Sequence, residues 1–398
     1  MKIRLQIIIV ISLIIFIGCS HKNGTGLELM PGEFIDRDIS LDDIADDLVY
    51  IPLSNELPVH RSTNIKWYNN CFYYCDAAKR ILRFDNDGKY IDALDNQGRG
   101  AEEYQLIVDF SVDSLNGNIY INSGIDKIIV YDNKFRYLRS IKYPVKRAGP
   151  VYTRMLNNQI HFFYFNIDGH GYNWVLTDTL GNIISKKKSV DTYKLPIRMS
   201  EIQIFSNNTN LYRYFNHNDT IYEINKSGYK PYRLLDRNFK DGYELIDNPA
   251  EYNTRESENP YRVIRSIFGL GDYWLINYKK IMHSERNPRQ EETVLYDFNN
   301  NLSYLVNSTT AHKDKLTQIG LYNDWIGSGA IFPNNVLKIN DSLYLLSVSD
   351  ASRLLQESRT NDFINGIPRR PEIRKRFQEL TDTLQLEDNP VLILLKLK

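Results

Sequence analysis

The chain has 398 residues, of which 42% are hydrophobic and 25% charged, as in ordinary globular proteins. The 28 Tyr and 17 Phe favour β-strands, so we expect an all-β protein. Lys plus Arg and Asp plus Glu both number 49, and this balance leaves no basic surface for nucleic acid, which we exclude as a partner.

Residues 1–18 have the pattern of a secretory signal peptide: two basic residues, an apolar run over 5–17 and a small residue. The run has about 13 residues, fewer than the roughly 20 that span a bilayer. The letters FIGC at 16–19 resemble a bacterial lipobox, which predicts lipidation of Cys19 and a membrane anchor. An ordinary signal peptide with a chance cysteine stays open as the alternative.

Residues 19–38 are rich in glycine and polar groups, so we expect a flexible tether between lipid and fold. The predicted address is the cell envelope, as a lipid-anchored protein of the outer membrane. No acidic run follows Cys19, which favours the periplasmic side over the cell surface.

A repeat of about 47 residues organises the rest of the chain. An apolar strand followed by a polar turn recurs, and four of its turn residues, Asp85, Asp132, Asp178 and Asn225, lie 47, 46 and 47 residues apart. The series continues at 293–302 and ends in a strand at 390–398. Before each of these six strands lies an aromatic strand, at 69–76, 116–123, 157–165, 208–215, 271–278 and 340–347.

This period is typical of β-propeller blades, and six repeats predict a single six-bladed propeller over residues 39–398. The strand at 48–54 precedes the first repeat, so we expect it to join the last blade and close the ring. An open β-solenoid is the alternative. Residues 236–265 are interpreted as an inserted excursion, and residues 351–380 as partly helical.

Three segments carry a family resemblance. NDTIYEI (218–224) with KPYRLLD (230–236), and the closing DNPVLILLKLK (388–398), resemble the six-bladed β-propeller lipoproteins of Bacteroidetes, and FDNDGKY (84–90) followed by GRGAEEY is similar to NHL-type repeats. The resemblance implies an envelope location and an association with nutrient acquisition. It implies no activity.

No catalytic signature and no cofactor motif appears in the sequence, and the seven His have no metal-ligand spacing. Cys71 and Cys75 would lie roughly 13 Å apart on a strand, too far for a mutual disulfide, so we expect buried free thiols.

The candidate ligand-binding loop is GRGAEEY at 98–104. Arg99, Glu102, Glu103 and Tyr104 offer charge and hydrogen bonds, and the two glycines permit tight backbone. The alternative is a plain inter-blade connection with an internal Arg–Glu pair.

The leading hypothesis is a non-catalytic module that binds an envelope protein or a glycan. The alternative is a lyase or hydrolase acting on extracellular glycan, which would require charged residues of different blades to converge at the channel mouth.

Overall fold

The computed structural model describes residues 27–37, 39–62, 64–124, 126–145, 149–150, 152–164, 171–188, 202–207, 210–215, 220–225, 228–235, 261–281, 291–306 and 320–398. Before the first repeat lie β1 (Glu28–Met30), β2 (Ile35–Arg37), α1 (Leu41–Ile44) and β3 (Ala45–Pro52).

Six four-stranded units follow the chain order. Blade 1 is β4 (Ile65–Tyr68), β5 (Cys71–Cys75), β6 (Ile81–Asp85) and β7 (Tyr90–Leu94), and blade 2 is β8 (Asp109–Val112), β9 (Ile119–Asn122), β10 (Lys127–Tyr131) and β11 (Tyr137–Lys142). Blade 3 is β12 (Tyr152–Leu156), β13 (Gln159–Phe163), β14 (Tyr172–Asp178) and β15 (Ile183–Lys188), and blade 4 is β16 (Ile202–Asn207), β17 (Asn210–Phe215), β18 (Thr220–Asn225) and β19 (Gly228–Leu235). Blade 5 is β20 (Tyr261–Gly269), β21 (Tyr273–Ile281), β22 (Glu291–Asp297) and β23 (Leu302–Val306). After the hairpin of β24 (Leu321–Tyr322) and β25 (Ala330–Ile331), blade 6 is β26 (Asn335–Ile339), β27 (Ser342–Ser349), β28 (Val391–Leu397) and β3. Helices α2 (Ala351–Glu357), α3 (Asn361–Asn365) and α4 (Pro371–Thr383) lie between β27 and β28.

The blades form a closed ring. The six hydrophobic clusters each join two neighbouring blades, including blade 6 with blade 1. The first strands of the blades contact one another around the axis, as β4 does with both β8 and β26. β3 pairs antiparallel with β28, with Tyr50 opposite Ile393, so the N-terminal strand completes the last blade as predicted. The six-bladed all-β propeller is confirmed, and the open solenoid is wrong.

The repeated turn residues have a structural cause. Asp85, Asp132 and Asp178 each begin the turn between the third and fourth strands, and each carboxylate accepts two backbone N–H bonds of 2.9–3.0 Å from residues two and four positions later. The DNDG segment is therefore a hairpin turn. The turn before the aromatic strand of blade 1 is Asn69-Asn70, with φ of 48° and 59°, which asparagine tolerates better than most residues.

The predicted tether differs from the structure at residues 28–37. β1 pairs in parallel with the outer strand β19 of blade 4, and β2 with the outer strand β23 of blade 5. The unpaired N–H and C=O groups of an outer strand provide partners for any passing extended chain, and Met30 gains burial to 3% exposure. This segment is an edge strap and not a free linker.

The two predicted insertions have different outcomes. Residues 261–265 belong to strand β20, because the inner strand of blade 5 begins earlier than the composition indicated, and residues 236–260 lie outside the described residues. The helical interpretation of 351–380 is confirmed by α2, α3 and α4, with Pro371 in the first turn of α4.

The helical insertion is held against helix α1. The Arg370 guanidinium lies 3.8 Å from the centre of the Trp325 ring and donates to the carboxylate of Asp42 in α1, which also accepts the Trp325 indole N–H at 2.9 Å. Helix α1, the 320–334 segment and the helices of the insertion thus form one packed unit between blades 5 and 6.

Candidate functional site

The GRGAEEY loop connects β7 of blade 1 to β8 of blade 2. Tyr104 is fully buried, and its hydroxyl donates to the Leu94 carbonyl at 3.0 Å. Burial raises the pKa of Tyr104 well above its usual value. The Glu103 carboxylate accepts the Gly100 N–H at 2.7 Å. These two predicted site residues hold the shape of the connection.

The other two residues of the loop, Arg99 and Glu102, are exposed. Within the described ranges no ion pair joins Arg99 to either glutamate, which departs from the internal Arg–Glu pair considered above. The backbone carbonyl of Glu102 accepts the hydroxyl of Tyr131 in blade 2. Only the Arg99 and Glu102 side chains stay available to a ligand, and that role remains a prediction.

A second set of charged residues converges on the inner strands. Lys66 lies on β4, Asp109 on β8 and Arg154 on β12, which are the innermost strands of blades 1, 2 and 3. We call these three residues the inner-strand cluster. Asp109 is the first residue of β8 and Lys66 the second of β4, near the ends at which the inter-blade connections enter, and Arg154 is the middle residue of β12.

Asp109 is the anionic member of the inner-strand cluster and is only 4% exposed. Its carboxylate accepts the Thr153 backbone N–H at 3.0 Å and pairs with the Arg154 guanidinium. Arg154 also donates to the Thr153 carbonyl at 2.9 Å. One oxygen of the carboxylate, Oδ2, thus makes both contacts, and its charge balances that of Arg154.

Lys66 is the cation of the cluster that makes no ion pair among the described residues. Its ammonium lies 5.5 Å from the centre of the Phe110 ring, and the described residues supply it with no hydrogen bond or ion pair. Burial, followed by the charge of Arg154, lowers the pKa of Lys66 to about 8. The cluster therefore carries two cations against one carboxylate and favours an anionic group.

The sequence singled out none of these three residues, because each stands alone in an ordinary strand. The one available signal is a charged residue recurring in successive inner strands. It becomes visible only after the strands have been assigned to blades.

The buried histidine of blade 3 has a structural role. His161 is 1% exposed, accepts the Trp174 indole N–H at Nδ1 (3.3 Å) and stacks on Phe163. Burial lowers its pKa to about 4. His170, the other histidine of this blade, lies outside the described residues.

No group of three or more His, Cys, Asp or Glu side chains among the described residues is arranged to hold a metal ion. Cys71 and Cys75 are both free thiols as predicted, but only Cys75 is buried, whereas Cys71 is partly exposed. Burial raises the pKa of Cys75 to about 12. Across the same ranges, no helix is both long enough and apolar enough to cross a bilayer.

Two solved structures share the architecture at low sequence identity. A Bacteroides fragilis protein described as exported superposes with a TM-score of 0.63 at 17% identity, covering 93% of this chain and 99% of that one. A member of the duf4221 family from Bacteroides vulgatus gives a TM-score of 0.50 at 10% identity, covering 89% and 97%. At these identities the likeness shows the fold alone.

No curated protein matches the chain significantly. The model of the family described as "Domain of unknown function (DUF4934)" matches residues 33–396. The match begins within the edge strap and ends in the closing strand β28, so it takes in all six blades. The chain belongs to the DUF4934 family.

Proposed function

We propose that this chain is an exported, lipid-anchored propeller that acts as a non-catalytic binding module and takes an anionic group of an envelope glycan or protein at the inner-strand cluster. The observation that carries the proposal is the Lys66 ammonium, half-buried beside Arg154 with no carboxylate of its own. A bound carboxylate or phosphate would supply the missing negative charge.

The envelope address has two independent supports. The N-terminal pattern and the lipobox-like FIGC precede the fold, and the Bacteroides fragilis structure of the same fold is described as exported. Cys19 lies outside the described residues, so its lipidation is tested chemically. Cells fed radiolabelled palmitate should label the wild-type protein and not Cys19→Ala, and label in both would refute the anchor.

Ligand binding is tested on the detergent-solubilised full chain with oligogalacturonates and inorganic phosphate as anionic probes. Lys66→Met removes the charge and retains the aliphatic stem, and we expect about 10-fold weaker binding, the equivalent of about 1.4 kcal/mol. Lys338→Met is the matched control, because Lys338 also lies on an inner strand but is exposed and pairs with Asp341 at 3.0 Å. Equal affinities of all three proteins, or no binding of either probe, would refute the site.

A glycan-active enzyme is the second candidate. Charged residues from three blades do converge, and a lysine whose pKa is near 8 is suited to proton abstraction. Against a hydrolase, the only carboxylate of the cluster is paired with Arg154. Depolymerisation of acidic glycan by the wild type, lost in Lys66→Met, would favour a lyase over the binding module.

A further inference from the structure

The outer edge of blade 3 is open in the described part of the chain. β14 is the one strand there that pairs with β15. Five of the six residues of β15 are exposed, and Ser185 is half-buried. From Ser185 to Lys187 the pairing with β14 is uninterrupted, so this half of β15 is a regular strand. Its outer side therefore presents backbone N–H and C=O groups to an incoming chain.

The strap shows what an outer edge of this propeller accepts. β1 pairs in parallel with β19 of blade 4, and β2 pairs in parallel with β23 of blade 5. In the register of β1 on β19, Glu28 stands opposite Arg233. Residues 28–38, which supply both strands, contain four acidic residues and one basic residue. The occupant of two rim edges is thus an extended segment with a net negative charge.

The edge of blade 3 has the charge that such a segment requires. Lys186, Lys187 and Lys188 are consecutive and exposed, and no carboxylate of the described ranges forms an ion pair with any of them. The Lys186 ammonium lies 5.3 Å from the centre of the Tyr172 ring, and the Lys187 ammonium 4.8 Å from that of Tyr229. Three cations on one edge repel a second copy of the same edge and attract a strand that carries carboxylates.

The same strand also exposes apolar surface. Ile183 and Ile184 are 47% and 48% exposed, and Leu180 in the preceding turn is 70% exposed. The outer strands of blades 1 and 2 each have one such residue, Ile91 and Leu138, and no run of cations. Because successive residues of a strand point to opposite faces, an added strand can cover one isoleucine on each face of the blade. The edge therefore fits a strand that contains both apolar and acidic residues.

We propose that the outer edge of β15 binds an extended acidic segment of a partner protein, which adds a fifth strand to blade 3 as the strap does on blades 4 and 5. Backbone hydrogen bonds hold the segment, and the lysines select the sign of its charge. This surface goes beyond the anion site proposed above, because it lies on the rim of the ring and uses no residue of the inner-strand cluster.

The probe is a short fluorescein-labelled peptide of alternating Val and Glu, measured with the detergent-solubilised full chain by fluorescence anisotropy at low salt. We expect saturable binding that weakens as salt is added. The peptide in which Lys replaces every Glu should bind about 10-fold more weakly or worse. No saturable binding of the Val–Glu peptide, or equal binding of both peptides, would overturn the proposal.

Charge reversal locates the binding on the protein. Lys186→Glu combined with Lys188→Glu should weaken the Val–Glu peptide about 10-fold or more, whereas Lys187 is retained because it packs on a tyrosine ring of blade 4. The matched control is Lys89→Glu combined with Lys134→Glu, which makes the same change in net charge at exposed turn lysines of blades 1 and 2. Thermal unfolding of both double variants should stay near that of the wild type. Equal peptide affinities of the two double variants would overturn the proposal.

N-methylated peptides test whether a strand is added. Methylating alternate residues removes the N–H donors from one edge of the peptide, and one edge alone faces β15. Methylation of one alternate set should abolish binding, and methylation of the other set should leave it unchanged. Equal binding of both methylated peptides would show attraction by charge alone and overturn the proposal, as would a dimer of the protein that the Lys186 and Lys188 reversals abolish. Oligogalacturonate binding should persist in those reversals, so the outcome is independent of the inner-strand cluster.

Discussion

A buried neutral His161 makes the fold sensitive to acid in a defined window. Burial lowers the pKa of His161 from 6.5 to about 4, so the unfolded chain binds this proton at a higher pH than the folded chain does. The stabilising contribution of the neutral ring is complete above pH 6.5 and is lost as the pH falls towards 4. Linkage over this pKa difference gives a loss of about 2 kcal/mol at pH 5 and about 3 kcal/mol below pH 4.

His161→Gln isolates this effect, because glutamine offers an acceptor to the Trp174 indole and cannot be protonated. Urea unfolding followed by tryptophan fluorescence at pH 7.5 and pH 5 gives the free energy of unfolding of each protein. Between these conditions we expect the variant to lose about 2 kcal/mol less than the wild type. Exposed His60→Gln should follow the wild type. Parallel pH curves for wild type and His161→Gln would refute the reasoning.

Three further outcomes are expected. Burial raises the pKa of Cys75 to about 12, so at pH 8 its reaction with iodoacetamide should be at least about 100-fold slower in the folded protein than in the urea-unfolded chain. Peptide mass spectrometry measures both rates, and equal rates would contradict the burial of this thiol. Gly269→Ala places a Cβ 2.4 Å from the Ser206 carbonyl oxygen across the interface of blades 4 and 5. Urea unfolding should show a free energy of unfolding lower by about 1–3 kcal/mol, and an unchanged value would mean that the backbone at this interface shifts without cost. Deletion of residues 27–37 exposes the edges of β19 and β23 and the apolar surface that Met30 covers. We expect the free energy of unfolding to fall by about 2–3 kcal/mol and the protein to self-associate on gel filtration. A monomer of unchanged stability would show that the strap is dispensable.

The architecture could be predicted because its signal is local and repeated. A turn aspartate that caps its own backbone and an aromatic strand that fills a blade interface leave the same mark in each unit. The edge strap left no such mark, since a three-residue strand has no periodicity and its docking depends on edges that exist only in the folded ring.

The candidate site was less accessible to sequence reasoning. Lys66, Asp109 and Arg154 meet only because each blade brings its first strand to the axis, and no spacing along the chain encodes that meeting. The GRGAEEY loop was visible in the sequence, but glycine and charge are typical of ligand loops and of connections alike. The structure shows that Tyr104 is buried within the connection, and the role of Arg99 and Glu102 stays a prediction.

The pairing of β3 with β28 affects how the chain folds during and after its synthesis. The two strands are about 340 residues apart, and closing a loop of that length costs about 5 kcal/mol in chain entropy beyond a constant. Strand β3, which is synthesised early, must therefore stay unpaired on this edge until β28 has been made. Any product that stops short of β28 keeps an open blade, so the ring itself distinguishes a finished molecule from a truncated one.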